Sequence, residues 1–200
     1  MTLNKPYHHG NLRAALLEAA VALVGELGPR GFTLREVARR AGVSHNAPYR
    51  HFASKDELLL AVAREGFARL KESMERAMEP GRTSMERLQL SGCGYVEFAL
   101  HWPQHFQVMF DLPRLQPEGC AKVKADMGAF DVLLGCIGAA QTDGSLPPGD
   151  PLPVALTAWS LVHGIAKLAV SGTLPMGMEQ TLAFTRQATS VLGAGLQAQS

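Results

Sequence analysis

Residues 33–55 read TLREVARRAGVSHNAPYRHFASK. Thr33 and Glu36 have the spacing of a capping box, so a helix is predicted to start at Leu34. Val37, Ala38 and Ala41 then share one apolar face, and Arg35, Arg39 and Arg40 lie outside it. Gly42 can take the left-handed conformation that ends a helix, Val43 can turn inward, and Ser44 can cap a second short helix over about His45–His51. Pro48 sits near the start of that helix, where a missing N–H costs least. His45, Asn46, Tyr49, Arg50 and His51 supply donors and flat rings suited to phosphate oxygens and base edges in a major groove. Phe52 is the expected core anchor. Ser54 and Glu57 form a further capping box, which starts a helix at Lys55 and places its ammonium beside that helix's first amides. The segment therefore predicts a helix-turn-helix.

The charge distribution agrees. The chain has 200 residues and a net charge of +1, but residues 1–55 hold eight Lys/Arg against three Asp/Glu, and residues 56–200 hold eleven against fifteen. A cationic N-terminal surface joined to a mildly acidic remainder suits a nucleic-acid reader followed by a unit that does not touch nucleic acid. An apolar content of 46% is enough for a packed core. Cys93, Cys120 and Cys136 lack metal-type spacing and read as reduced core thiols. Nothing at the start reads as a secretory leader. The weakly charged stretch 151–178 is interrupted by Lys167, Gly and Pro, so a cytoplasmic protein without a membrane span is expected.

Working outward, Leu12, Leu16, Ala20, Leu23, Val24 and Leu27 define a first helix capped by Asn11 and stopped by Gly28-Pro29. The helix from Lys55 should reach about Met78 before Pro80-Gly81, a length of about 36 Å that can join two units rigidly. Thr83 and Glu86 box another helix running toward Trp102, and a short one follows over Pro103–Phe110. Gln116–Gly119 restarts the chain into a helix carrying Val123, Met127, Phe130, Leu133, Leu134 and Ile137, with a loop at 142–149. Asp150-Pro151 opens a helix to about Ser171 that is apolar round most of its circumference, and a last helix spans about Met178–Leu196. The expectation is an all-α chain of about nine helices. Residues 1–54 would form a three-helix DNA-binding domain, and residues 55–200 a helical effector-binding and dimerisation domain. The two weakly charged C-terminal helices, about 152–171 and 178–196, predict a homodimer interface, because two half-sites read together give specificity that one does not.

Other chemistry finds little support. His101 and His105 are four apart and His163 could join them, but Pro103 separates the pair and no carboxylate or cysteine completes a metal set. No nucleophile elbow, phosphate-binding loop or paired carboxylate is present, so neither catalysis nor a cofactor is expected. Two other function classes stay open: a ligand-scavenging or protein-interaction module with a vestigial helix-turn-helix, which would select no DNA sequence, and an enzyme fused behind a DNA reader, which would show turnover.

The blocks NLRAALLEAAVALVGELGPRGF, TLREVARRAGVS, HNAPYRHF and SKDELL follow one another in a single register and resemble the DNA-binding domain of the TetR (tetracycline repressor) family of bacterial regulators. The arm before them carries YHHGNL, similar to many relatives, and with Lys5 and Arg13 it could touch backbone or minor groove or simply fray. The resemblance implies that Thr33, Tyr49, His51 and Lys55 contact phosphate, with Arg35 on the same cationic side, and that Ser44, His45, Asn46, Ala47 and Pro48 lie near base edges. Asn46-Ala47-Pro48 departs from the glycine followed by threonine or alanine that many members carry, so base preferences do not transfer. Trp159-Ser160-Leu161-Val162-His163-Gly164 is similar to a Trp-x-x-x-His-Gly pattern in one branch of the family. The resemblance also implies a small-molecule effector cavity in the C-terminal domain, for which Phe98, Trp102, Phe106, Met109, Phe110, Met127, Phe130, Trp159 and His163 are candidates, although residues of these types individually fill core more often than they contact a ligand. The function it implies is that of a homodimeric repressor released from a palindromic double-stranded DNA operator by that effector.

Overall fold

Helix caps set the frame of the molecule. In the computed structural model, which describes residues 12–111 and 128–198, the Thr33 hydroxyl accepts from the Glu36 amide at 3.3 Å while the Glu36 carboxylate accepts from the Thr33 amide at 2.7 Å. Thr83 and Glu86 repeat the arrangement. Ser54 Oγ accepts from the Glu57 amide at 3.1 Å, but the Glu57 carboxylate reaches back to the Ala53 amide. Among the described residues the result is all-helical: α1 (Leu12–Leu27), α2 (Leu34–Arg40), α3 (Lys55–Met78), α4 (Ser84–His101), α5 (Pro103–Asp111), α6 (Ala129–Thr142), α7 (Pro151–Val170) and α8 (Met178–Gln197).

Two predicted helices differ. The second helix of the helix-turn-helix is a single 3-10 turn at Pro48–Arg50 flanked by turns. Its bonds are mostly of the tighter kind, Ala47 N–H to Ser44 O at 2.9 Å and His51 N–H to Pro48 O at 2.9 Å. Pro48 has no N–H to give an α-helical bond in the middle of so short a segment, which favours 3-10 closure. The helix predicted to run unbroken from about Gly119 through Ile137 is also corrected. Gly128 has φ +36°, a left-handed value that ends α-helical continuity, and α6 starts at Ala129. Val123 and Met127 lie outside the described residues. The described chain thus holds eight α-helices and one 3-10 turn.

The first three helices pack through Leu16, Ala20, Leu23 and Val24 of α1, Val37 and Ala38 of α2, and Phe52, which is buried beneath the 3-10 turn. Arg13 lies over the Phe52 ring at 5.6 Å. From Leu58 onward α3 continues the same apolar cluster, so the core is contiguous from Leu16 to Ile165 and Ala166. Helix α4 is the hub of the C-terminal part and packs against α3, α5, α6, α7 and α8. It crosses α3 closely: Ser73 Oγ donates to Gly94 O at 2.9 Å, and a Cβ on Gly94 would stand 2.6 Å from Ser73 O.

By length and composition alone, α7 could cross a bilayer. Here it turns Ala155, Val162, Ile165 and Ala166 into the core and leaves Leu152, Leu156 and Leu168 exposed. Its neighbour α8 buries Thr181, Thr185, Thr189 and Gly193 and exposes Phe184 and Val191, the latter at 68%.

Candidate nucleic-acid interface and ligand cavity

The N-terminal helices and the turn between them expose side chains of the kinds that can meet phosphate and base edges. Thr33, Arg35, Arg39, Ser44, His45, Asn46, Arg50 and His51 are all exposed, and Tyr49 holds a phenol ring 53% exposed beside them. Pro48 is buried and Ala47 half-buried, because the 3-10 turn directs them onto the core. Their side chains therefore do not share the outward face of Ser44, His45 and Asn46. Arg40 pairs with Glu26 of α1, which ties its guanidinium within the protein.

Thr33 and Lys55 combine internal bonds with proximity to this surface. The Thr33 hydroxyl also donates to Glu36 Oε2 at 2.9 Å, and these Thr33 bonds hold the Glu36 carboxyl below the usual carboxylate range. Lys55 Nζ donates to Arg30 O at 3.2 Å and Phe32 O at 3.0 Å, with the ammonium 5.2 Å from the Phe32 ring centroid. It clamps the loop between α1 and α2 onto the start of α3, and one of its three N–H groups remains beyond those two bonds. The arm with Lys5, His8 and His9 lies outside the described residues.

The C-terminal helices enclose a cavity of about 470 Å³. Phe67, Leu70 and Met74 of α3, Leu88 and Tyr95 of α4, and Leu133 of α6 form much of its wall. Of the aromatic candidates, Phe110, Phe130 and Trp159 line it. Phe98, Phe106 and Met109 instead pack as fully buried core, and Trp102 lies against Phe98 with Arg69 5.4 Å over its ring. These side chains belong to the α4–α5 packing layer, so they do not border the cavity. His163 stands behind the wall, 4.5 Å in ring separation from Phe110 and 5.8 Å from Trp159. Met127 lies outside the described residues.

Tyr95, which sequence reasoning passed over, organises the polar chemistry here. Trp159 Nε1–H donates to Tyr95 Oη at 3.3 Å, and Tyr95 Oη lies 2.8 Å from His163 Nδ1. An indole N–H can only donate, so Oη accepts from Trp159, and the direction of its bond with His163 Nδ1 follows the imidazole tautomer. Burial, helped by the nearby Lys167, lowers the His163 pKa, and burial raises that of the Tyr95 hydroxyl. The signal was present in the sequence: a tyrosine within an apolar helix needs a partner for its hydroxyl.

His101 and His105 do not converge. Trp102, with ψ 58°, breaks the helix between them. His101 Nδ1 bonds to Glu97 O, while His105 is buried with both ring nitrogens unpaired, 3.9 Å from Glu65. Burial pushes the His105 pKa down. No group of three His, Cys, Asp or Glu side chains suited to a metal occurs among the described residues.

Between the two regions lies α5. It packs on α1, where Gln104 fills the space beside Gly25, and on α3, where Met109 and His105 cover Gly66, while its Phe110 borders the cavity. A change in the cavity wall thus has a short packed route to α1.

Comparison with known proteins decides what kind of molecule carries this arrangement. A family model for bacterial regulatory proteins of the tetR family matches residues 16–62, and one for the tetracyclin repressor-like C-terminal domain matches residues 88–191. The chain belongs to the tetR family. That family is one of bacterial regulatory proteins. The chain is 37% identical over 76 residues to the helix-turn-helix-type transcriptional regulator BetI of Rhizobium meliloti, a match covering 38% of this chain and 37% of BetI. The chain spans no more than about half the length of the curated relatives it matches first. Over nearly its whole length it is similar to the structure of a protein of unknown function from Rhodococcus sp. RHA1, with a TM-score of 0.81, 34% identity and coverage of 97% and 100% of the two chains. The transcriptional regulator FadR of Bacillus subtilis, solved in complex with stearoyl-CoA, shares the fold at a TM-score of 0.77 and 18% identity, covering 91% of this chain and 98% of that one.

Proposed function

We propose that the chain is a homodimeric repressor that sits on a palindromic operator and is released when a small molecule enters the C-terminal cavity. The observation that carries this reading is the packed connection, through α5 and α3, between an exposed cationic and polar reading surface and an apolar cavity. Residues 1–54 act as the DNA-binding unit and residues 55–200 as the effector-binding and dimerising unit. Thr33, Arg35, Tyr49, His51 and Lys55 meet backbone phosphates, and Ser44, His45 and Asn46 reach base edges. Ala47 and Pro48 support that surface from below.

The dimer is supported by Leu168, Phe184 and Val191, which leave α7 and α8 with exposed apolar side chains that pairing with the same helices of a second subunit would cover. Two reading surfaces held in that way would address half-sites about 34–36 Å apart or a multiple of it.

Effector release follows linkage. A ligand that favours the non-binding conformation weakens operator affinity, and operator DNA must weaken ligand affinity by the same factor. The test is calorimetry of any operator-releasing molecule against free and operator-loaded protein. Weaker binding to the loaded protein by the factor seen in DNA release supports the mechanism. Equal affinities contradict it.

A further inference from the structure

We propose that His105 is a proton-sensitive positioning residue: on taking up a proton it closes onto Glu65, draws α5 against α3 and so makes operator affinity depend on pH. The proposal rests on the N-terminal unit reading an operator and adds a means of regulating that reading.

Helix α5 is seated on α1 and α3 at two glycines. Gln104 Nε2 would stand 3.2 Å from a Cβ on Gly25 of α1, and Met109 Sδ and His105 Cβ would stand 2.5 Å and 3.2 Å from one on Gly66 of α3. Packing this close passes a displacement of α5 to both helices of the DNA-reading half. Between the seats lies the His105 ring, 6% exposed, with neither nitrogen hydrogen-bonded. Its Nε2 is 3.9 Å from Glu65 Oε1, beyond hydrogen-bond range. That oxygen accepts from Arg69 Nε and Nη2 at 3.1 Å and 2.5 Å, and the Arg69 guanidinium lies 5.4 Å over the ring of Trp102, just before α5.

The ring is poorly satisfied in either protonation state. Neutral, it holds a buried donor and a buried acceptor without partners; charged, it is disfavoured by burial, which lowers its pKa. Both forms gain when a nitrogen reaches the Glu65 carboxylate, and the charged form gains more. Shortening 3.9 Å to the length of a charge-assisted bond takes about 1 Å of approach. With its Cβ held over Gly66 the buried ring has no room to swing that far alone, so the helices move. The charged groups that act on it are Glu65 and Arg69, both of α3. On α4, His101 is exposed and bonded to Glu97 O, and on α1, Glu26 is paired with Arg40. Protons therefore favour the closed position, and an operator that distinguishes the two positions of α5 is linked to proton uptake.

The test is the affinity of the full-length protein for DNA recovered by selection from random double-stranded oligonucleotides, followed by fluorescence anisotropy at constant salt from pH 8 to pH 5.5. Two variants accompany the wild type: His105→Gln, which takes up no proton, and Glu65→Gln, which lacks the carboxylate. His45 and His51 on the reading surface are common to all three proteins, so differences between profiles isolate the α3–α5 joint. With affinities normalised at pH 8, the wild type is expected to depart from His105→Gln by at least about threefold at pH 5.5, and Glu65→Gln to follow His105→Gln. Parallel profiles for wild type and His105→Gln overturn the proposal, as does a Glu65→Gln profile that follows the wild type. Circular dichroism at each pH checks folding; if His105→Gln does not fold, the comparison with Glu65→Gln, whose side chain is 35% exposed, decides. Sequence-specific binding with parallel profiles fails the proton device alone, whereas no sequence-specific binding at any pH fails the DNA-reading function and the device with it.

Discussion

Lys55 directs two of its three N–H groups to the carbonyl oxygens of Arg30 and Phe32, so it both shapes the loop before α2 and stands beside the reading surface. Lys55→Ala should therefore do two things. It should lower affinity for all DNA sequences alike and reduce the slope of log affinity against log salt by about one unit. It should also lower stability by on the order of 1 kcal/mol through the lost clamp. An unchanged slope with lowered stability would leave Lys55 a structural residue only. Asn46→Ala, on the exposed part of the turn, should instead relax preference at one base position, seen as a flattened column in a selected-sequence profile. His105 and His163 give a pH dependence. Burial lowers both below the ordinary value of 6.5, so the unfolded chain takes up protons first as pH falls. Stability is full above about pH 6.5 and declines below it as the folded-state values are approached. The melting temperature should drop between about pH 7 and pH 5, and His105→Leu should remove part of that slope. A variant with the full slope would show that His105 titrates normally. At this scale the sequence showed which residue types gather but not which way they point. Pro48 and Ala47 turn inward, and Phe98 and Met109 vanish into core, because their directions depend on a turn type and on packing partners far along the chain.

Caps made the helix starts readable. Thr33, Ser54, Thr83 and Asp150 each hold a first-turn amide, as local spacing alone can dictate. Thr33→Ala should cost about 1 kcal/mol and shift the midpoint of urea unfolding accordingly. The 3-10 turn was less legible, since helix periodicity over seven residues says little about whether bonds close at three or four. The crossing of α3 and α4 was not legible at all, because nothing in the local sequence says which glycine will meet another backbone. Gly94→Ala would force a Cβ against Ser73 O and Met74 Cα, both backbone atoms that cannot swing aside. A loss of about 1–3 kcal/mol in unfolding free energy is expected. No loss would mean that the two helices are free to separate.

For the molecule as a whole, the all-α architecture followed from periodicity, whereas the existence and shape of the cavity depended on six helices, α3 to α8, meeting at long range. The apolar faces of α7 and α8 were foreseeable from their poverty in charge. Phe184→Glu combined with Val191→Glu should give a monomer in analytical ultracentrifugation and weaken operator binding about a hundredfold or more, because two linked reading heads bind far better than one. A double variant that stays dimeric would place the interface elsewhere.

Sequence-specific reading by two coupled N-terminal units is the property on which the proposed function turns. A selection from random double-stranded oligonucleotides with the full chain tests this directly. The expected result is enrichment of a palindrome whose half-sites lie about one helical turn apart or a multiple of it, with binding that weakens steeply as salt rises. Recovery of no sequence above the starting pool would contradict it.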